Sequence, residues 1–381
     1  MACLQRAGSA GISRAGSGSL LAAPPCSRLQ RRGSKTLPLS RAGSACAALP
    51  EGSNTTTQPS GAAPSVDPFT AAGRRLQTLL SRVGDGEDEL LDSLVAAEAP
   101  ESKLQTSVVL GGVVTVGAVV VTSLLGKDPW GGAGLNADTL AAVGTGLAAA
   151  LPLAALRMWS WTPAAAQAVP ALQDVHDGQL ELQKPWLSSM SRAQVGCMVA
   201  LEVLPLTLLL FPAGQAGIMA AVGMYGQLLS GAGLEGQDTY LAALALVLTA
   251  LGCGVGRSLD LSVSAEEYDL VATASQNADR YYRTMAADVH TSPAEAARAA
   301  EAFRFVAAAW LQTRGEAAAL AGAITAADVL AQGGLWYATH NLAAPAIAAL
   351  AVSAVDYWHM HTAVLKRERR LTGTGGGSGR A

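Results

Sequence analysis

The sequence predicts an all-α protein, a multi-pass membrane bundle of about six to eight transmembrane helices that follows a disordered leader and linker. The first observation is composition: half of the 381 residues are hydrophobic and 14% are charged, whereas soluble domains carry about 25% charged residues. The second is the mean hydropathy, which is +0.29. The third is a set of uncharged runs long enough to cross a bilayer core. In lipid only helices and closed barrels satisfy their backbone polar groups, so these runs are predicted to be helical.

The same composition excludes several other classes of protein. Extended disorder requires low hydrophobicity and high net charge, and the formal net charge here is only −3. An isoelectric point near 6.0 provides no basic surface for phosphate neutralisation, so nucleic acid is not an expected partner. Five cysteines in 381 residues are too few for a disulfide scaffold.

Residues 1–50 are predicted to be a plastid transit peptide. They hold seven basic side chains and no acidic one, and they are rich in Ser, Ala and Gly. This pattern is typical of organellar import sequences, and the scarcity of lysine favours a chloroplast over a mitochondrion. The predicted location is a chloroplast membrane, with the thylakoid as the expected one.

Residues 51–103 are predicted to be a linker with an acidic stretch. Residues 51–65 are rich in Ser, Thr, Pro and Gly, a composition typical of linkers. Residues 68–80 have the apolar spacing of a short helix, and residues 85–92 carry five acidic side chains. We interpret the acidic run as a solvated tether; the alternative is an electrostatic docking strip for a partner.

A transmembrane domain is predicted for residues 104–365. Its apolar spans are, in chain order, residues 107–126, 139–158, 197–210, 213–229, 240–255, 316–337 and 342–357. Phe211 and Pro212 separate the third span from the fourth, which leaves open a broken helix or a tight helical pair. Trp130, Trp159 and Trp161 follow the first two spans, where indole rings favour the membrane interface.

Two water-exposed helices are predicted between the fifth and sixth spans. Ser264 and Ser292 each stand three residues before a glutamate, which is the pattern of a capping box. Pro293 suits the first helical position, where its missing N–H costs nothing. After the last span, residues 366–381 form a basic, Gly-rich tail, which the positive-inside rule places on the stromal side.

Three acidic residues interrupt the apolar spans. Glu202 is the deepest, Asp328 lies within the sixth span, and Asp356 lies near the end of the last one. A carboxylate inside a membrane is costly and is by default a functional hypothesis. Glu202 and Asp328 are therefore candidate binding residues; the alternatives for Glu202 are that its span lies near an interface or that it pairs with an arginine to pack the helices.

A regular charge pattern marks the helix after Ser292. Acidic and basic residues alternate there at every third position, at Glu295, Arg298, Glu301 and Arg304. Neighbours at this spacing share a helix face, so the alternation predicts local ion pairs. The alternative is a polar groove used for a ligand.

No metal or other cofactor is predicted from the residues. Catalytic zinc needs three protein ligands that converge, and His359 and His361 lie about 200° apart around a single helix. The sequence contains no HExxH motif, no P-loop and no GxSxG motif, so the usual sites of soluble enzymes are absent.

The run GGLWYATHNLAAPAI at residues 333–347 resembles the final part of the CAAX-protease and bacteriocin-processing family. The resemblance extends over residues 301–357, about a sixth of the chain, and implies a multi-helix intramembrane peptidase fold. It makes His340 and Asn341, inside this run, candidate binding residues. An active member would use a Glu-Glu-x-x-x-Arg motif and two histidine motifs, with zinc as its cofactor.

These catalytic motifs do not carry over to this chain. The adjacent pair Glu266-Glu267 is followed by Val271 where the arginine would stand, and Ala349 occupies the position of an expected histidine. Glu301 and Arg304 are degenerate catalytic candidates, because EAFRF resembles a reduced EExxFR. A carboxylate must activate water and imidazoles must hold zinc, so the resemblance implies a protein that keeps the fold and has lost the peptidase chemistry.

The combination of a transit peptide with a family member that lacks the catalytic motifs resembles the plastid Balance of Chlorophyll Metabolism group. The similarity implies a scaffold that binds and stabilises chlorophyll-metabolism enzymes, with the lipid bilayer and membrane-associated plastid proteins as partners. The first alternative is an active but atypical CAAX-type metalloprotease. The second is a small-solute transporter that uses Glu202 and Asp328.

Overall fold

The computed structural model describes residues 67–83, 87–230, 238–289 and 292–374. Every regular element in these ranges is a helix, which confirms the predicted all-α class. The helices are α1 (Pro68–Val83), α2 (Glu87–Ala97), α3 (Pro100–Leu124), α4 (Ala137–Ser160), α5 (Pro163–Ala168), α6 (Pro170–Leu187), α7 (Arg192–Leu208), a π-helical segment (Leu209–Gln215), α8 (Ala216–Ser230), α9 (Asp238–Leu261), α10 (Ala265–Gln276), α11 (Ala278–Val289), α12 (Pro293–Thr339) and α13 (Ala343–Thr374). The predicted leader, the linker up to residue 66 and the end of the tail lie outside the described residues.

Side-chain caps explain where several helices begin. Ser264 and Glu267 form a reciprocal capping box at α10, and Ser292 and Glu295 form one at α12. Both boxes were predicted from the sequence and are confirmed. Asn136 caps α4 by accepting a hydrogen bond from the backbone N–H of Thr139. These caps satisfy N–H groups that a helix leaves without intrahelical partners.

The chain is a multi-pass membrane protein. Within the part of the chain that the structure describes, five helical stretches are long and apolar enough to cross a bilayer: Pro100–Leu124, Ala137–Ser160, Arg192–Tyr225, Thr239–Leu261 and Pro293–Thr339. This number is below the predicted six to eight for two reasons. The third and fourth predicted spans form one continuous helical stretch, and the last predicted span lies in α13, which is not among the five. Asp356, His359 and His361 interrupt the apolar character of α13.

The junction at Phe211 and Pro212 is a π-helical segment, Leu209–Gln215, rather than a broken helix or a tight helical pair. Proline lacks the N–H that an α-helix needs at an interior position, and its ring displaces the preceding carbonyl. A π-turn accommodates this disruption without ending the helix. Phe211 and Gln215 are both almost completely buried in this segment.

The described residues divide into two compact units, which the sequence had not indicated. The first unit contains residues 92–259 and 319–374, apart from the stretches that are not described. In this unit α13 packs against α4, α6 and α7, and α3 packs against α7 and the π-helical segment.

Small residues permit the closest helix contacts of the first unit. A Cβ added to Gly254 would lie 2.8 Å from the carbonyl oxygen of Gly322, so α9 and α12 meet backbone to backbone. Gly146 on α4 approaches Ala344 on α13 in the same manner. Close approach at small residues is the usual way in which membrane helices associate, because lipid provides no hydrophobic drive between them.

A buried lysine fixes the start of α3 in the first unit. The side chain of Lys103 is fully buried, and its Nζ donates to the carbonyl oxygens of Pro185, at 2.8 Å, and Ser188, at 3.1 Å. These carbonyls lie at the C-terminal end of α6. A cation there is favourable because the end of a helix carries partial negative charge.

The second unit contains residues 67–91 and 260–318, again apart from the undescribed stretches. Its core combines α1, α10 and the first part of α12, with Leu76, Val271 and Phe303 fully buried. The guanidinium of Arg75 lies 3.6 Å from the ring centroid of Tyr281 and 4.4 Å from that of Phe303. The helix predicted at residues 68–80 is confirmed and belongs to this core.

Candidate functional site

A cluster of polar and aromatic side chains joins α4, α6, α12 and α13 in the first unit. Its members, called the Arg157 cluster below, are Arg157, Trp161, His176, Asp328, Asp356 and His359. The guanidinium of Arg157 forms an ion pair with Asp328, and its Nε lies 3.7 Å from Asp356. One arginine near the end of α4 therefore connects two carboxylates that lie on different helices.

Low solvent exposure makes these ion pairs important for stability. The exposed fractions of the side chains are 13% for Arg157, 28% for Asp328 and 15% for Asp356. Removing one member of such a pair leaves a desolvated charge, which is far more costly than losing an exposed pair. Asp328 thus takes part in the kind of arginine pairing between helices that the sequence offered as an alternative for Glu202.

Aromatic stacking completes the Arg157 cluster. The indole N–H of Trp161 donates to Asp356 at 2.9 Å. The indole ring stacks between two imidazoles, with centroid distances of 3.9 Å to His176 and 5.2 Å to His359. From the sequence, Trp161 was predicted only to be an interface residue. The available signal was an arginine and a tryptophan at one end of an uncharged span.

Burial of His176 favours the neutral form of its imidazole. Its Nε2 lies 3.2 Å from both the carbonyl oxygen and the hydroxyl of Ser160. Its Nδ1 is buried and has no hydrogen-bond partner among the described residues. Burial lowers the pKa of His176 below its ordinary value, and the nearby carboxylate of Asp356 only partly opposes this effect. The side chain of Gln179 also lies near the imidazole and, like Asp356, favours its protonated form, but burial has the larger effect.

We expect the stability of the protein to fall as the pH decreases through about 6.5, the ordinary pKa of histidine. A lowered pKa in the folded state means that the unfolded chain binds more protons, so stability is complete above this pH and is lost below it. Thermal unfolding from pH 8 to 5.5 measures the effect. The variant His176→Gln should flatten the profile. Equal pH profiles for the wild type and His176→Gln would contradict the role of His176 in the loss of stability at low pH.

Glu202 lies at a separate contact between α7 and α13. It accepts a hydrogen bond from the phenol of Tyr357, which is almost fully buried. Ala349, where the resemblance placed a histidine, belongs to the same buried core as Val199 and Met360. A methyl side chain there can neither hold a metal nor transfer a proton.

His340 and Asn341 are neighbours in sequence but have different surroundings. The side-chain amide of Asn341 donates to the Gly132 carbonyl at 3.1 Å and to the Thr139 hydroxyl at 3.0 Å, and its oxygen accepts from the N–H of Ala343. Asn341 therefore joins the α3–α4 turn to the start of α13. His340 is exposed, adopts a positive φ of 51°, and lines a cavity near that turn.

Glu301 and Arg304 lie in the second unit, on the exposed face of α12. Arg304 forms an ion pair with Asp279 on α11, and its Nε donates to the carbonyl of Ser275 at 3.4 Å. The local pairing predicted for this residue is thus replaced by a contact with another helix. This exchange could not be read from the three-residue spacing, because Asp279 is distant in sequence.

We expect Arg304→Ala to cost less than about 1 kcal/mol of stability, since exposed ion pairs contribute about 0.2–1 kcal/mol. The two side chains are 43% and 41% exposed. Asp279→Ala removes the same pair and should have the same effect, whereas Glu301→Ala leaves the pair intact. Thermal unfolding of the three variants checks this. A loss of several kcal/mol in Arg304→Ala alone would show a role beyond this pair.

The described residues contain no group of three His, Cys, Asp or Glu side chains placed to hold a metal ion. His359 stacks on Trp161, whereas the Nε2 of His361 lies 2.9 Å from the carbonyl oxygen of Met190. The two imidazoles have different partners, as their spacing predicted. The candidates Glu202, Asp328, Asn341 and Arg304 likewise lie at four different contacts.

Comparison of the chain with family models, with curated proteins and with solved structures finds no match. The resemblance at residues 333–347 therefore stays a prediction. In the structure this run forms the end of α12, the turn at His340 and the start of α13.

Proposed function

We propose that this chain is a chloroplast multi-pass membrane protein that binds and stabilises membrane-associated plastid proteins and catalyses no reaction itself. The proposed partners are enzymes of chlorophyll metabolism, and the proposed membrane is the thylakoid. The location is supported by the acid-free, basic leader at residues 1–50, which has the composition of an import sequence.

The observation that carries the proposal is the use of the buried carboxylates. Glu202 accepts from Tyr357, Asp328 pairs with Arg157, and Asp356 binds both Arg157 and Trp161. Each of these contacts joins two different helices. Groups that a peptidase or a transporter would need for chemistry are therefore engaged in holding the bundle together, as expected for a protein whose surface performs the function.

Large apolar faces are available for partners within the membrane. Only 22% of the most apolar 18-residue stretch of α3, and 17% of the corresponding stretch of α4, is buried inside the protein. Val109, Val113 and Leu124 on α3 are mostly exposed, as are Leu140 and Leu151 on α4. In a bilayer such faces contact either lipid or the helices of another protein.

The proposal is tested by deleting the chain from a photosynthetic cell and measuring the thylakoid levels of membrane-bound chlorophyll-metabolism enzymes. We expect those levels to fall. Wild type and Glu202→Gln should restore them equally, because glutamine still accepts the hydrogen bond from Tyr357 but cannot act as a base. Unchanged enzyme levels after deletion would contradict a stabilising role.

The same variants test the alternatives. Failure of Glu202→Gln at wild-type protein level would indicate chemistry at this carboxylate. Zinc-dependent cleavage of CAAX-type or transmembrane peptides by the purified chain would then support a protease, and solute flux into proteoliposomes would support a transporter. The location is tested separately: a fluorescent reporter fused to residues 1–50 should enter the chloroplast, and delivery to the mitochondrion would contradict the proposed membrane.

A further inference from the structure

We propose that a cavity beside the π-helical segment binds a neutral, membrane-soluble molecule with an apolar body and a carbonyl group, such as a quinone with an alkyl chain. The cavity has a volume of about 730 Å³, within the usual range of about 300–1,000 Å³ for small-molecule sites. Its walls come from the π-helical segment, α8, α9, the end of α12 and the turn after α3. This site is separate from the Arg157 cluster and is not part of the proposed scaffold function.

Most of the cavity wall is apolar. Pro212, Ala216, Met219, Leu246 and Trp336 contribute to it. A wall of this kind favours an apolar ligand by removing its surface from water or from lipid head groups, but it does not orient the ligand. Orientation needs a small number of polar groups at defined positions.

Gln215 provides such a polar group. Only 1% of its surface is exposed, and its Oε1 accepts a hydrogen bond from the phenol of Tyr337. Its Nε2 is buried and has no hydrogen-bond partner among the described residues. A buried amide N–H without an acceptor is costly, and native proteins rarely leave one unsatisfied.

The position of Gln215 follows from the local helix geometry. It is the last residue of the π-helical segment that begins at Leu209, and π-turns within α-helices frequently occur at functional sites. The hydroxyl of Tyr337, which also lines the cavity, lies 3.3 Å from the carbonyl oxygen of Ala242. The Tyr337 hydroxyl thus fixes the Oε1 end of the amide, and the proposed ligand supplies the acceptor that Nε2 lacks among the described residues.

A carbonyl oxygen is the acceptor that fits these surroundings. Among the described residues that line the cavity, the lysine and the carboxylate are Lys127 and Asp128, and both are exposed, so the described buried wall offers no counter-charge for an ionised ligand. A charged group would therefore lose its hydration without compensation. A neutral carbonyl gains one hydrogen bond at Gln215 while the rest of the molecule contacts the apolar wall.

The test uses the whole chain in nanodiscs of fixed lipid composition, with decylubiquinone as the probe. Decylbenzene is the matched probe without a carbonyl. Ligand retained above the level of empty nanodiscs is quantified by mass spectrometry. We expect saturable binding of decylubiquinone, and binding of decylbenzene weaker by about two- to tenfold, the factor that corresponds to one net hydrogen bond.

Three variants locate the site. Gln215→Leu should weaken the binding of decylubiquinone by the same factor and leave the binding of decylbenzene unchanged. Ala242→Trp should abolish the binding of both probes by filling the cavity. Leu251→Trp, at an exposed position on the same helix, should change neither. If Gln215→Leu does not fold, the difference in affinity between the two probes and the effect of Ala242→Trp still test the proposal. Retention that does not saturate, equal affinity for both probes, or unchanged binding in Ala242→Trp would each overturn the proposal.

Discussion

Arg157→Met is expected to lower the free energy of unfolding by about 3–5 kcal/mol, the cost of leaving buried charges without their partner. The substitution keeps most of the side-chain volume but removes the cation that Asp328 and Asp356 share. Two poorly solvated carboxylates would then face the same space. The loss of stability is measured by heating the detergent-solubilised protein and monitoring its unfolding by size-exclusion chromatography.

The matched control is the triple variant Arg157→Met, Asp328→Asn, Asp356→Asn. It removes all three charges, while the amide oxygen introduced at position 356 can still accept the hydrogen bond from Trp161. Most of the cost of breaking a buried ion pair comes from the charge that is left without its partner, and the triple variant leaves no such charge, so it should recover most of the loss. If Arg157→Met alone were as stable as the wild type, the carboxylates of Asp328 and Asp356 would have to be well solvated.

Gly146→Leu is expected to cost at least about 1–3 kcal/mol, because overpacking a close contact moves side chains and backbone. A Cβ at Gly146 would lie 3.0 Å from the Cα of Ala344 and would overlap the carbonyl oxygen of that residue. A leucine would therefore force α4 away from α13. Since α13 also carries Asp356, the Arg157 cluster would be disturbed as well.

Gly144→Leu is the control on the same helix. No atom lies within 4 Å of a Cβ added there, and the position is exposed. The two variants share the same chemical change and differ only in the space available, so their difference in thermal stability isolates the helix contact. Equal stabilities would show that α4 and α13 separate easily.

The helix positions were largely predictable from the sequence because they depend on local properties. Uncharged runs located the helices that the structure shows as α3, α4 and α9. Serine and glutamate at three-residue spacing located the starts of α10 and α12. Both signals arise from residues close together in the chain, and each has one dominant physical cause.

The partners of the candidate residues were less predictable. Arg157 and Asp328 are 171 residues apart, and nothing in either local sequence specifies the other. Phe211 and Pro212 indicated an irregularity, but a break, a turn and a π-helical segment all fit the same letters. Gln215 was not predicted, because an uncharged amide in an apolar run becomes informative only when its burial and its partners are known.

The buried Lys103 has a consequence for the order in which the protein assembles. Its ammonium group is satisfied by carbonyls of Pro185 and Ser188, which lie 82 and 85 residues later in the chain. During synthesis α3 therefore emerges long before the acceptors of its own lysine exist. Until α6 has formed, Lys103 must remain hydrated at the membrane surface. The Lys103 side chain is therefore buried late, when α3 packs against the end of α6, a helix that is synthesised after α4.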